Sequence, residues 1–261
     1  MKPTGTGRIV LWRGGSLWIG RAGEPTDFHS HHAVQITLPF SDGGVRFRRL
    51  GGYWNTYSAA IIAAHQPHAF EARGEFVGMI FVEPESREGR ALHRRCLGEG
   101  ISSLAYGTLE LEIAALAASY KGTALDPELA ASARSVIAKL AATSAVPVVS
   151  LDKRIERVVE LLRERIGETV LLAEIADAVC LSPDRFRHLF IEETGMRFRP
   201  YVLWLRIEIA LAAFAAGRSL TEASHVGGFA DSPHFSRTFK RMFGIVPSSF
   251  QCEQPFRSSH G

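Results

Sequence analysis

At 261 residues, 46% of them hydrophobic and 22% charged, the chain has globular composition and enough length for one large domain or two smaller ones. No apolar run approaches the ~18 residues of a membrane-spanning helix, and the first residues, Met1-Lys-Pro-Thr-Gly-Thr-Gly-Arg8, lack the apolar core of a secretory signal, so the expected location is cytoplasmic, with no membrane contact. Thirty Lys and Arg against 27 Asp and Glu give a net charge of +3, which permits nucleic-acid binding without requiring it, so pattern has to decide.

In residues 8–82, short β-prone runs at 9–12, 17–19, 34–38, 45–47, 59–62 and 76–82 are separated by Gly, Pro, Asn and Asp. Many short strands at near-regular spacing predict a small barrel or sandwich. Trp12, Trp18, Tyr53, Trp54 and Phe70 are candidates to line a cavity in it or to serve as plain core. The segment Gly23-Glu-Pro-Thr-Asp-Phe-His29-Ser-His31, followed by Gln35, resembles the first motif of the cupin barrels, and Ala63-Ala-His-Gln-Pro-His68 stands where the second carries its histidine. On a strand, His29 and His31 share a face while His32 points away, so His29, His31, His68 and Gln35 can meet at one interior site. Three imidazoles and a carboxamide are donors suited to a divalent metal; the other readings are contact with a small-molecule effector, together with Trp18, or packing. Gln35 stands where the cupin motif has glutamate.

Residues 83–95 are rich in charge and predicted to be solvated surface. Helical spacing then predicts two antiparallel helices, 108–120 and 127–142, able to pack on the barrel or to pair with a second copy in a homodimer. Residues 143–151 have no helical period and contain a proline, which marks an interdomain linker. The three cysteines, Cys96, Cys180 and Cys252, are odd in number and never in a CxxC spacing; buried or inert thiols are expected. No nucleophile-base-acid set and no phosphate loop is visible, so no catalytic residue and no organic cofactor is assigned.

Everything after Leu151 reads as helical and contains a repeat. Leu172-Ala-Glu174 returns as Leu220-Thr-Glu222, and Phe186, Phe190 and Gly195 return as Phe235, Phe239 and Gly244, with a one-residue slip in the turn. In each copy a short helix leads through a turn to a second helix opened by Ser-Pro, at Ser182-Pro183 and Ser232-Pro233, where serine caps free N–H groups and proline loses no hydrogen bond. Phe186, Leu189 and Phe190 form one apolar stripe, and Phe235, Phe239 and Met242 the other. The opposite faces carry Asp184, Arg187, His188 and Ile191 in the first copy and Pro233, Ser236, Arg237 and Lys240 in the second. Such side chains either form an ordinary solvated face or reach base edges and phosphates from the major groove; the duplication favours the second reading. The segment between the copies, 199–216, would form a helix roughly 27 Å long, suited to recognition helices about 34 Å apart.

Gly228-Phe229, Ser232-Pro-His-Phe-Ser-Arg-Thr-Phe-Lys240, Phe243-Gly244, Pro247-Ser-Ser-Phe250 and Arg206-Ile-Glu-Ile-Ala210 together resemble the DNA-binding domain of the AraC/XylS family of bacterial regulators. The first copy departs from that pattern with His188 and Ile191, where the family usually has Arg and Lys. The resemblance implies an α+β two-domain protein: a cupin-like effector-sensing and dimerisation barrel with two following helices at 1–142, a linker at 143–151, and an all-α domain at 152–261 with two helix-turn-helix units joined by a linker helix. Expected DNA contacts are Arg185, Arg187 and His188 in one groove and Ser232, His234, Ser236 and Arg237 in the next, with Lys240 and Arg241 suited to phosphate. Double-stranded promoter DNA, a small-molecule effector and RNA polymerase are the partners the resemblance implies. The competing reading is a metal-dependent cupin enzyme with a helical accessory domain, its metal on His29, His31 and His68.

Overall fold

The computed structural model describes residues 5–41, 43–96, 100–122, 124–143 and 150–253; most of the expected linker, 144–149, lies outside them. The β-prone runs form β1 (Gly5–Trp12), β2 (Gly15–Ala22), β3 (Val34–Pro39), β4 (Val45–Arg49), β6 (Ala60–Ile62) and β8 (Phe76–Val82), joined by β5 (Trp54–Tyr57), β7 (His68–Glu71) and β9 (Ile101–Ser103). A seven-stranded sheet has the order β10-β1-β2-β8-β3-β6-β9, where β10 is Phe250–Cys252, and a three-stranded sheet, β5-β4-β7, faces it.

Side-chain alternation sorts the strands into layers. Leu17, Ile19, Ile36, Leu38, Ile61 and Ile80 point outward, into a core shared with three helices: α1 (Arg87–Arg95), α2 (Glu110–Lys121) and α3 (Asp126–Ala142). Leu129, Ala133, Val136, Ile137 and Leu140 of α3 are buried in that core, so this helix spends one face on the barrel. The intervening positions, Gln35 and Thr37 among them, face the barrel interior with Phe47, Ile62, Phe70 and Val77. The charged stretch after β8 is not simple surface: Ser86 accepts a hydrogen bond from the Gly89 N–H and caps α1, Leu92 is fully buried, and Glu83 and the side chain of Glu85 are buried too. An apolar residue at the right helical phase and two carboxylates with partners outweigh the charge of the run.

The C-terminal part comprises α4 (Lys153–Glu164), α5 (Leu172–Ala178), α6 (Pro183–Thr194), α7 (Phe198–Ala215), α8 (Leu220–Val226) and α9 (Ser232–Phe243). The repeat extends to backbone conformation. The turns before α6 and α9 use left-handed residues, Cys180 (φ 56°) and Gly228 (φ 72°), and both helices end on left-handed glycines, Gly195 (φ 70°) and Gly244 (φ 72°). Cys180, expected to be inert or buried, is exposed at its turn, while Cys96 is buried and Cys252 half-buried. Ser182 caps α6 as expected, whereas α9 is capped by Asp231, whose carboxylate accepts from the His234 N–H at 2.6 Å. Ser232 instead lies inside the first turn, its hydroxyl 3.2 Å from that of Thr221.

The end of the helical region departs from the sequence reading in one respect: Phe250–Cys252 is an edge strand of the barrel sheet, parallel to β1, with Gly5 opposite Phe250 and Gly7 opposite Cys252. The two parts also share a core. Ile9, Trp18, Ala33 and Phe81 of the barrel cluster with Phe186, Tyr201, Trp204, Phe235, Phe239 and Phe243 of the helices.

Candidate nucleic-acid interface and barrel site

On α6, Phe186, Leu189 and Phe190 are buried, and Arg185, Arg187, His188 and Ile191 are exposed. Arg187 pairs with Asp184 one turn away, which answers the carboxylate at the start of this helix. On α9, Phe235, Thr238, Phe239, Met242 and Phe243 are buried; Arg237, Lys240 and Arg241 are exposed, and Ser232, His234 and Ser236 are half-buried. The His234 ring meets Phe229 edge-on at 5.3 Å, so His234 and Ser232 both help hold the turn. The two polar faces expected from the sequence are therefore accessible, and the aromatic stripes are core.

Phe243 reaches into the mouth of the barrel. Its ring lies 4.8 Å from Trp18, 5.7 Å from Phe81 and 6.1 Å from His31, and Trp18 also stacks on Phe239 at 6.0 Å with 11° between planes. Around this contact is a narrow, mainly apolar cleft lined by Trp18, Phe70, Met79, Phe81, Phe243 and Phe250, with Arg21, Glu24, Thr26, His29 and Gln35 as its polar lining. Of the five aromatic residues considered as cavity lining, Trp18 and Phe70 are there. Tyr53 is 89% exposed, Trp54 lies under the guanidinium groups of Arg46 and Arg48, and Trp12 borders a different cleft, beside α7.

His29, His31 and His68 come together, with ring centroids 4.3 to 5.8 Å apart. A regular strand does not do this: β3 begins only at Val34, and the grouping comes from one isolated bridge in which His29 and His68 exchange backbone hydrogen bonds at 3.0 and 2.9 Å. Gln35 joins them, its Oε1 2.8 Å from His31 Nε2 and its amide nitrogen 2.8 Å from the Thr37 hydroxyl. Burial holds the His29 ring down at a pKa of about 4; burial and then the neighbouring His29 hold His31 at about 3; burial pushes His68 well below its ordinary value. All three are neutral imidazoles at physiological pH.

His32 points the other way, as expected, and enters a network that sequence reasoning missed. Its Nε2 lies 2.5 Å from Glu85 and its Nδ1 3.0 Å from His65, against Tyr201 and Trp204 of α7. Further polar ties join barrel and helices: Arg90 to Glu193 at 2.7 Å, Arg163 to Glu83, and Arg163 to Glu208 at 3.7 Å. Each partner sits far from the other in sequence, so no local spacing marks these pairs.

The fold and the exposed helices define a two-domain protein, a β-rich domain followed by a helical domain with two helix-turn-helix units. A family profile described as Helix-turn-helix domain matches residues 175–252. The uncharacterized transcriptional regulatory protein YesN of Bacillus subtilis (strain 168) is 33% identical over 105 residues, 38% of this chain and 28% of that protein. The arabinose operon regulatory protein of Escherichia coli (strain K12) is 30% identical over 108 residues, 40% of this chain and 37% of that protein. The chain thus matches about a third of the length of these relatives. Among solved structures, ToxT from Vibrio cholerae O395 superposes with a TM-score of 0.59 at 16% identity, covering 91% of this chain and 96% of ToxT. An unsaturated fatty acid bound form of ToxT, from strain SCE256, superposes with the same score at 13% identity, covering 92% and 94%. Residues 175–252 carry a helix-turn-helix domain similar to that of these regulators, and the two-domain fold resembles that of ToxT. No helix among the described residues is long and apolar enough to cross a membrane.

Proposed function

We propose that this chain is a cytoplasmic, sequence-specific transcription regulator, not an enzyme, that lays α6 and α9 into two neighbouring major grooves of promoter DNA. The observation that carries this reading is the duplicated unit with its aromatic stripes buried and Arg185, Arg187, His188, Arg237, Lys240 and Arg241 exposed. The 18 residues of α7 span roughly 27 Å, in keeping with recognition helices set about 34 Å apart on one DNA face. His188, Ser236 and Arg237 have the donors for base edges; Lys240 and Arg241, nearer the helix end, suit phosphate.

The cleft beneath Phe243 is the effector site in this reading. Its lining suits a small, mainly apolar molecule, as does the fatty acid bound to ToxT. The Trp18 indole N–H is buried and has no partner among the described residues, so an acceptor such as a carboxylate on the effector is favoured. Trp18, His29, Gln35 and, behind them, His31 and His68 would contact it. Entry of a ligand there displaces Phe243 or Phe250, and so moves the end of α9. RNA polymerase contact and homodimerisation through the outer faces of α2 and α3 rest on the family resemblance.

The test is selection of bound fragments from a genomic DNA library, followed by footprinting at moderate salt. Two protected blocks about one helical turn apart are expected. A single block, or no protected locus, overturns the proposal.

A further inference from the structure

We infer that the cavity between β1, β2 and α7 binds a small amine that carries an apolar body and a hydroxyl group. The cavity has a volume of about 270 Å³. At about 30 Å³ per water, that is room for a molecule of roughly ten non-hydrogen atoms. Its apolar walls are Leu11 and Trp12 of β1 and Trp204, Ile207 and Leu211 of α7, with Phe81 and Phe243 between them. Those two rings also line the cleft assigned above to an effector, so the two spaces share a wall and are distinct sites.

The polar end decides the charge of the occupant. Glu83, just after β8, and Glu208 of α7 are joined by a hydrogen bond, and one guanidinium serves both: that of Arg163 pairs with Glu83 and lies 3.7 Å from Glu208. Glu85, bonded to His32, and the Tyr201 hydroxyl also act on Glu208. Arg13, the other cation of the lining, is 78% exposed and lies 3.3 Å from Glu160, which is not part of the cavity. Acid therefore exceeds base, and two carboxyls held this close share a proton unless a second cation arrives. An ammonium group supplies that cation and lets Glu208 ionise, whereas a carboxylate in the same place would meet uncompensated negative charge.

A separate observation calls for an acceptor on the same molecule. Trp204 is 3% exposed, and its indole N–H is buried with no partner among the described residues. A buried donor left unpaired is costly. Trp204 and Glu208 are four residues apart on α7 and both line the cavity, so they share one face of the helix, about 6 Å apart along its axis. A hydroxyl oxygen on the ligand takes the indole N–H while the ammonium meets Glu208 and Glu83. Packing of α7 on the barrel accounts for the apolar walls, but not for a space whose polar groups are a pair of acids and an unpaired donor.

The test is titration calorimetry of the full-length protein at slightly acid pH with three probes: tyramine, phenylethylamine, which lacks the hydroxyl, and hydroxyphenylpropanoate, which has a carboxylate in place of the amine. Tyramine should bind saturably, one per chain, and release protons as Glu208 ionises, so that the heat depends on the ionisation enthalpy of the buffer. Glu208→Gln, which keeps the shape of the side chain, should weaken tyramine about 10-fold or more and abolish the proton release. Trp204→Phe should cancel the advantage of tyramine over phenylethylamine, and any binding of the propanoate should be indifferent to Glu208→Gln. In the unmodified protein tyramine should raise the unfolding temperature with concentration, a readout that does not depend on how the variants fold. Absence of saturable binding of either amine, binding undiminished in Glu208→Gln, or heat unaffected by the buffer overturns the inference. None of these readings involves DNA, so the outcome is separate from that of the regulator proposal.

Discussion

Lys240 Nζ lies 2.9 Å from the carboxylate of Asp27, and beside this pair the Asp27 N–H donates to the carbonyl of Gly244 at 2.9 Å. The barrel loop that carries His29 therefore holds both a cation on the outer face of α9 and the glycine that ends the helix. Any shift of that loop is felt at the proposed DNA-reading surface through a charge and through the backbone.

Both side chains of the pair are half exposed or more, so the ion pair itself contributes only about 0–1 kcal/mol. Asp27→Asn frees Lys240 and removes a negative charge beside the groove. DNA affinity at low salt should rise roughly two- to fivefold and the salt dependence steepen by about one counterion. Fluorescence anisotropy across a salt series measures both; an unchanged slope would mean that Lys240 does not meet phosphate.

Arg237 and Lys240 are assigned different work on the same helix. If Arg237 forks onto a guanine, Arg237→Ala costs ~1–3 kcal/mol at one base position and relaxes the preference there, whereas Lys240→Ala weakens all sequences evenly. Binding-site selection with each variant separates the two patterns, and an even loss for both would remove Arg237 from base reading.

Gly195 and Gly244 end equivalent helices in the same left-handed conformation, with different surroundings. A Cβ on Gly195 would lie 3.4 Å from His65, while one on Gly244 would lie 2.4 Å from the Asp27 carbonyl oxygen and 2.6 Å from His29 Nδ1. Gly195→Ala should therefore cost about 1 kcal/mol, the conformational term alone. Gly244→Ala should cost a further ~1–3 kcal/mol, since strained backbone and loop have to give. Chemical unfolding of the two variants gives the difference, and equal losses would show that α9 is not seated on the loop.

Glu208 lies between barrel and helices near Glu83 and Arg163. Burial first, and then repulsion from Glu83, raise its carboxyl well above its ordinary 4.5, with Arg163 opposing. The folded protein thus holds this proton more tightly than the unfolded chain. The contribution is fully present below pH 4.5 and is lost as pH rises through the folded-state value. Glu208→Gln stays neutral and should gain about 1 kcal/mol or more over the parent near neutral pH and above, a gain that shrinks on acidification. Urea unfolding across pH measures it; a less stable variant near neutral pH would mean that attraction to Arg163 dominates.

The helix-turn-helix repeat was legible because its determinants are local. Aromatic residues at helical spacing, Ser182 before Pro183, and glycines after α6 and α9 act within one or two turns. The cap of α9 was misplaced by one residue because Asp231 and Ser232 are both good caps, and only the backbone course decides between them. The charged run that became α1 was misread because the burial of Leu92 and Glu85 depends on what lies above them. Tyr53 and Trp54, aromatic on paper, fall beside and on the edge strand β5, away from the cleft: Tyr53 is exposed, and Trp54 lies under Arg46 and Arg48.

The amino-acid sequence by itself determined the two architectures, the repeat, and the polar faces of α6 and α9. Periodicity, turn chemistry and side-chain type act over a few residues and survive without the rest of the chain. Only the tertiary structure decided that β10 pairs with β1, that Phe243 enters the barrel beside Trp18, and that Asp27 holds Lys240. Those contacts join residues from opposite ends of the chain, and their free energy depends on shape and burial that exist only once both parts have folded.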